Sequence, residues 1–242
     1  MKALSILNHS IWQVFGNFGA AFRISALPVL LQWLLLLLVL PRLASSMLGE
    51  AGQNPLGMVV FAIISVAAFL LIAVNWHRFI LMNETPRLIP RLHRKAALAY
   101  LLRVVQIILV LLVVLIPAGL AMALVSQTGS VVLIVLLSMA ASIAFAAIVT
   151  RLSISLPAAA IDQPMSLSAG WKVLAGRNDV VIVLAVVTGI AQFVLSWLVG
   201  ALSLSFATGV VLQIVSGWVV MMVGLSILTT LYGHYVEGRP LR

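Results

Sequence analysis

The sequence predicts an all-α, polytopic membrane protein with six transmembrane helices arranged as three hairpins, and three observations predict it. Only 8% of the 242 residues are charged and 64% are hydrophobic, whereas a water-soluble domain keeps about 25% of its residues charged to cover its surface. Six stretches stay apolar over about the 20 residues that a helix needs to cross the hydrocarbon. Lys and Arg fall on one side of those stretches, the bias that threads a chain through a bilayer. Mean hydropathy, at +1.24, agrees.

The elements follow in order. Residues 1–25 carry Leu4, Ile6 or Leu7, Ile11, Val14 or Phe15, Phe18 and Phe22 at near-helical spacing, with Asn8, Ser10, Gln13 and Asn17 elsewhere. That pattern predicts an amphipathic helix lying in the interface and feeding the first span at Leu27-Pro28. A cleavable leader is the rival reading, because "LPRLASS" offers small residues after an apolar run. The long n-region and Arg42 beside the cut favour retention. Spans are expected at about 26–43, 57–77, 97–125, 131–150, 180–203 and 208–232. The third contains Pro117 and is read as one helix, since about 27 residues are too few for two crossings. After span four the helix should break before Pro157, leaving Leu152 to Ile161 as a last turn and an apolar interfacial stretch. Residues 162–178 then form a cytoplasmic interfacial segment, with Trp171 and Lys172 on a short amphipathic helix before span five. The whole of 1–242 reads as a single integral membrane domain.

Threading follows from the cations. Lys2 and Arg23 precede span one, and Arg78, Arg87, Arg91, Arg94, Lys95 and Arg103 surround the connection of spans two and three. Arg151, Lys172 and Arg177 surround the connection of four and five, and Arg239 and Arg242 end the chain. Of the 14 basic residues only Arg42 lies on the other side, which places both termini in the cytoplasm. The net charge of +9 then reads as attraction to anionic phospholipids rather than to nucleic acid. Head groups are the expected ligands of Arg78, Arg87, Arg91, Arg94, Lys95, Arg151, Lys172 and Arg177. Arg151 is read as an interface anchor, with Asp162 as its alternative partner.

Chemistry is sparse. With no cysteine there is no disulfide, thiolate metal site or thiol nucleophile. The four histidines lack metal-ligand spacing, so neither a metal nor a cofactor is expected. No Walker loop, nucleophile elbow or metalloprotease pair occurs. Polar residues inside the spans are neutral, among them Gln32, Gln106, Gln192, Gln213 and Ser216; the absence of mid-helix carboxylates argues against an ion-coupled transporter. Ser138, Ser142, Ala146 and Thr150 recur every four residues on span four and form a small-residue stripe that suits close helix packing, which would put span four at the centre of the bundle. Each even-numbered span exits through an acid followed by proline, in "NETP", "IDQP" and "VEGRP", a faint repeat. Asn75, His77, Glu84, Asp162 and Glu237 make a candidate polar cluster at those exits. The three acids could converge if the hairpins pack symmetrically.

Leu156, Pro157, Asp162, Ser166, Trp171 and Gly176 carry a pattern of Leu-Pro, an acidic turn, then Ser-x-x-x-x-Trp-x-x-x-x-Gly. Over these roughly 25 residues the chain resembles the YciC-like inner-membrane family and the membrane domain attached to some glycerophosphodiester phosphodiesterases. The resemblance implies a bacterial cytoplasmic-membrane protein concerned with envelope or lipid homeostasis, and no catalytic residue carries over with it. The expected function is a non-enzymatic accessory, scaffold or lipid-interacting factor, with anionic phospholipids and other membrane proteins as partners. A small permease or channel lined by Gln192, Gln213 and Ser142 is the alternative, and a membrane-embedded enzyme built on the exit acids is a third.

Overall fold

The computed structural model describes residues 2–47, 55–163 and 165–241, with side chains over 2–38, 56–163 and 165–241. Pro164 and Arg242 lie outside the described residues, as do Glu50 and the side chain of Arg42. Among the described residues all regular structure is helical: α1 (Lys2–Phe15), α2 (Phe18–Met47), α3 (Pro55–Met82), α4 (Arg94–Ser126), α5 (Val131–Ser153), α6 (Ser155–Ala160), α7 (Leu167–Val173), α8 (Asn178–Leu202) and α9 (Phe206–Tyr235). Six helices are long and apolar enough to cross a membrane: α2, α3, α4, α5 running on into α6, α8 and α9. The chain is an all-α polytopic membrane protein, and α2/α3, α4/α5 and α8/α9 pack as its three hairpins.

Local chemistry explains the ends. Between α4 and α5, Gly129 takes a left-handed φ of 66°, and the Ser130 hydroxyl accepts a hydrogen bond from the Leu133 N–H. Between α8 and α9, Ser205 and Thr208 form a reciprocal capping box. α4 is continuous through Pro117, as expected of one helix.

The first break differs from the expectation. The chain turns at Gly16 and Asn17, so residues 18–25 belong to the spanning helix α2 and not to the interfacial one. Gly16 donates to Trp12 O at 2.8 Å, and a Cβ on it would stand 2.6 Å from that carbonyl oxygen, so a side chain would force the turn apart. Asn17 O then accepts from the Ala20 and Ala21 N–H groups and opens the next helix. The buried stripe of α1 is Ala3, Ile6, Ser10 and Val14, packed on α8 and α9, whereas Leu4, Ile11 and Phe15 are exposed. Ser10, counted as polar by its type, is fully buried because its hydroxyl bonds to Ile6 O and meets Thr230 Oγ1 at 3.0 Å.

Two further expectations are corrected. No residue in the most apolar window of the α5–α6 span is buried, so the α5 part of span four is peripheral. Ser138, Ser142 and Thr150 donate to carbonyls of their own helix, and Ser142 is exposed; the stripe does not seat a neighbouring helix along its length. The central helix is α9, which packs against α1, α3, α6 and α8. Secondly, Leu152 to Ile161 is not an apolar stretch left open to lipid. Every residue from Leu152 to Ile161 is buried, because α5 breaks at Ile154 and α6 turns inward against α3, α4 and α9.

Candidate functional site

The helix ends richest in cations, called here the basic end, meet around the last turn of α3. Asn75, Trp76, His77 and Arg78 are consecutive, so a helix sends them in four directions. Asn75 points to the α3–α4 loop, where its amide donates to Arg91 O at 3.0 Å and accepts from Arg91 N at 3.2 Å. Trp76 is buried and donates to Ser226 Oγ on α9 at 3.0 Å.

His77 goes inward. Its Nδ1 lies 2.8 Å from Thr229 Oγ1, and Thr229 donates its own hydroxyl proton to Leu225 O. Thr229 can therefore only accept from the ring, which assigns the proton to Nδ1 and leaves Nε2 bare, buried and without a partner among the described residues. The imidazole stacks on Tyr100 of α4, 5.8 Å between centroids.

Arg78 is the junction. Its Nε donates to Glu84 Oε1 at 2.7 Å, and its Nη1 reaches Asp162 Oδ2 at 2.8 Å and Ala160 O at 3.1 Å. The guanidinium is nearly enclosed, with a side-chain exposure of 10%. Glu84 is further contacted by His93, 3.3 Å away. Partial burial pushes the Glu84 carboxyl up, but the hydrogen bond and charge of Arg78, with smaller help from His93 and Arg91, outweigh it and hold the group below the ordinary carboxylate value. This replaces two expectations. Arg78 is committed to carboxylates and not offered to head groups, and Asp162 belongs to Arg78 rather than to Arg151. Arg151 instead hydrogen-bonds Asn178 and sits over the Trp171 ring at 4.9 Å.

The three acidic exits do meet at α3, by different means. Each contains one left-handed residue: Asn83 (φ 56°), Asp162 (φ 60°) and Gly238 (φ 70°). Exits one and three close alike, with Glu84 N on Arg78 O and Arg239 N on Gly233 O; α6 ends with Gln163 N on Ala158 O and Asp162 N on Ala159 O. The acid follows the left-handed residue in the first exit, occupies it in the second and precedes it in the third. Glu237 therefore faces Arg239, and Arg239 covers the end of α3 by donating to Ile80 O and Leu81 O. Of the expected polar cluster, Glu84 and Asp162 share one arginine, Asn75 holds a loop, His77 turns into the core and Glu237 is paired separately. Among the described residues no three His, Asp or Glu side chains are placed to hold a metal.

The 152–177 segment is a folded cap on this junction. Leu156 and Pro157 are buried, Ser166 accepts from Ala169 N to start α7, and Gly176 takes a φ of 76°. Gly170 lets α7 pack closely, since a Cβ there would lie 3.0 Å from Ile154 Cγ2.

Charge that is not neutralised remains on the α3–α4 loop and on α7. Arg87, Arg91, Arg94, Lys95 and Lys172 are exposed, and none of them pairs with a carboxylate among the described residues. Arg177 lies over the Tyr235 ring at 4.4 Å. Leu88, Ile89 and Leu92, interleaved with the loop cations, are exposed as well.

Below this end lies what sequence reasoning missed. A cavity of about 810 Å³ opens between α1, α5, α8 and α9, with Tyr100 and Phe69 in its wall. No periodicity reports it, because its lining is the same Leu, Val and Ala that face lipid elsewhere. A smaller cleft of about 140 Å³ between α8 and α9 adjoins it and gathers Gln192, Ser196, Gln213 and Ser216. Ser142 lines neither space, so the expected polar path is not continuous. No family model, no curated protein and no solved structure matches this chain.

Proposed function

We propose that this protein is a non-enzymatic, lipid-interacting accessory factor of the bacterial cytoplasmic membrane, with both termini in the cytoplasm. The observation that carries the reading is the α3–α4 loop. Four cations, Arg87 and Arg91 in the loop and Arg94 and Lys95 in the first turn of α4, stand beside exposed Leu88, Ile89 and Leu92. None of the four forms an ion pair among the described residues, because the nearby acids pair with Arg78, His93 and Arg239. A surface of this kind suits the plane where anionic phosphates meet acyl chains, and each cation there is worth about 1 kcal/mol. Pro86 and Pro90 keep the segment from becoming helix, and the Asn75 amide holds its backbone at Arg91.

The threading rests on the same cations, which crowd one end of the bundle. The likeness of Leu152–Arg177 to the YciC-like family supports a bacterial envelope role. The gathered amides and hydroxyls of Gln192, Ser196, Gln213 and Ser216 favour a small permease as the second reading.

Replacing Arg87, Arg91, Arg94 and Lys95 together by Gln tests the first reading. Phosphatidylglycerol recovered with the purified protein should fall severalfold; an undiminished amount would overturn it. A cysteine at Gln127, labelled by an impermeant reagent only from outside the cell, checks the threading. Uptake of a neutral solute by proteoliposomes, abolished in Gln213→Leu, would transfer the argument to the permease.

A further inference from the structure

We propose that the cavity between α1, α5, α8 and α9 is a binding site for one acyl chain of a membrane phospholipid, with an ester carbonyl of that lipid accepting the Tyr100 hydroxyl. The proposal deepens the lipid-interacting reading and rests on it. At about 810 Å³ the space lies within the roughly 300–1,000 Å³ range of small-molecule sites. Leu7, Ile11 and Phe15 of α1 form one wall and Leu184, Leu195 and Leu228 form part of the other, while no charged side chain lines it. The occupant must therefore be apolar over most of its length and uncharged where it is enclosed.

Among the described residues, Tyr100 brings a fully buried polar atom to this lining with no partner. Thr150 and Thr188, also in the lining, donate to Ala146 O and Leu184 O of their own helices. Tyr100 has no such outlet. It is 0% exposed, its ring stacks on His77 and meets Phe69 edge-on, and its buried hydroxyl has no hydrogen-bond partner among the described residues. A phenol in an apolar wall seeks an acceptor, and a lipid ester supplies one.

Depth selects the same ligand. Tyr100 lies six residues beyond Arg94, about 9 Å along the helix at 1.5 Å per residue. With Arg94 and Lys95 among the phosphates, the hydroxyl comes close to the layer where head groups give way to hydrocarbon. The space is also kept open by residues that could have closed it: Gly189 and Gly224 line it, and a Cβ on either meets nothing within 4 Å.

The test uses the full chain in nanodiscs containing phosphatidylglycerol with a diazirine on one acyl chain. After illumination, label should concentrate on residues 184–195 and 219–228. Gly224→Leu, which has room for its side chain, should lower that labelling about tenfold, and Tyr100→Phe should lower the lipid retained through detergent exchange about fivefold. Label spread evenly over all six spans, or unchanged in Gly224→Leu, would overturn the site as annular lipid only. The quadruple Gln variant separates the two claims. Cavity labelling with undiminished phosphatidylglycerol in that variant sinks the loop reading alone, and a lipid-depleted variant whose wild type shows no cavity labelling sinks the cavity alone.

Discussion

The two ends of this bundle are held by different means. At the basic end, Ser10 meets Thr230, Trp76 meets Ser226, His77 meets Thr229 and Arg78 gathers Glu84 and Asp162, each contact joining separate helices or the segments that follow them. At the opposite end, Ser126, Thr128, Ser138 and Ser203 donate to carbonyls no more than four residues away, and Val113, Ile116, Leu120, Leu124 and Val131 are exposed. Lipid tails are as apolar as leucine, so hydrophobicity does not press one spanning helix onto another. Specific contacts must choose the neighbours, and among the described residues they are concentrated at one end.

The largest effect should come from removing the junction. Arg78→Ala deprives two carboxylates of their shared cation, a loss of about 3 kcal/mol, near the lower end for buried pairs because Asp162 is partly exposed. Thermal unfolding in detergent should show it, and a wild-type melting temperature would mean that the basic end is not the anchor. A smaller effect follows from protonating one partner. The folded Glu84 titrates below its ordinary value of 4.5, so it contributes stability above that value and loses it as pH falls through the lower, folded one. The melting temperature should therefore decline on acidification below pH 4.5, and Glu84→Gln should flatten that part of the profile. Smallest is the control at the far end: Leu124→Ala, at an exposed site, should change stability by no more than about 0.5 kcal/mol. A loss comparable to that of Arg78→Ala would erase the contrast.

Reading the sequence alone succeeded where the bilayer itself imposes the pattern. A spanning helix must be continuously apolar, so the six spans were legible, as was the unbroken α4 through Pro117. The site was legible in its parts, since Asn75 to Glu84 stood out as a polar cluster at an exit. Its assembly was not. Arg78 reads from the sequence as a head-group ligand because one of its acids lies 84 residues away, and the advance signal is the acid before proline in "NETP" and "IDQP". Leu152 to Ile161 was misplaced for a related reason: an apolar run next to a membrane reads the same whether lipid or protein covers it. The small-residue stripe on α5 failed likewise, since the spacing that permits close packing does not say that a partner is there.

What this chain's sequence determined by itself is its solvent and the number of its crossings, both consequences of excluding water and unpaired charge from hydrocarbon. Only the tertiary structure decided which helix is central, where Arg78 finds its carboxylates and that a cavity opens behind Tyr100. The reason is physical: where the surroundings are as apolar as the core, side-chain polarity no longer distinguishes inside from outside, and the choice passes to shape and to a few hydrogen bonds between distant residues.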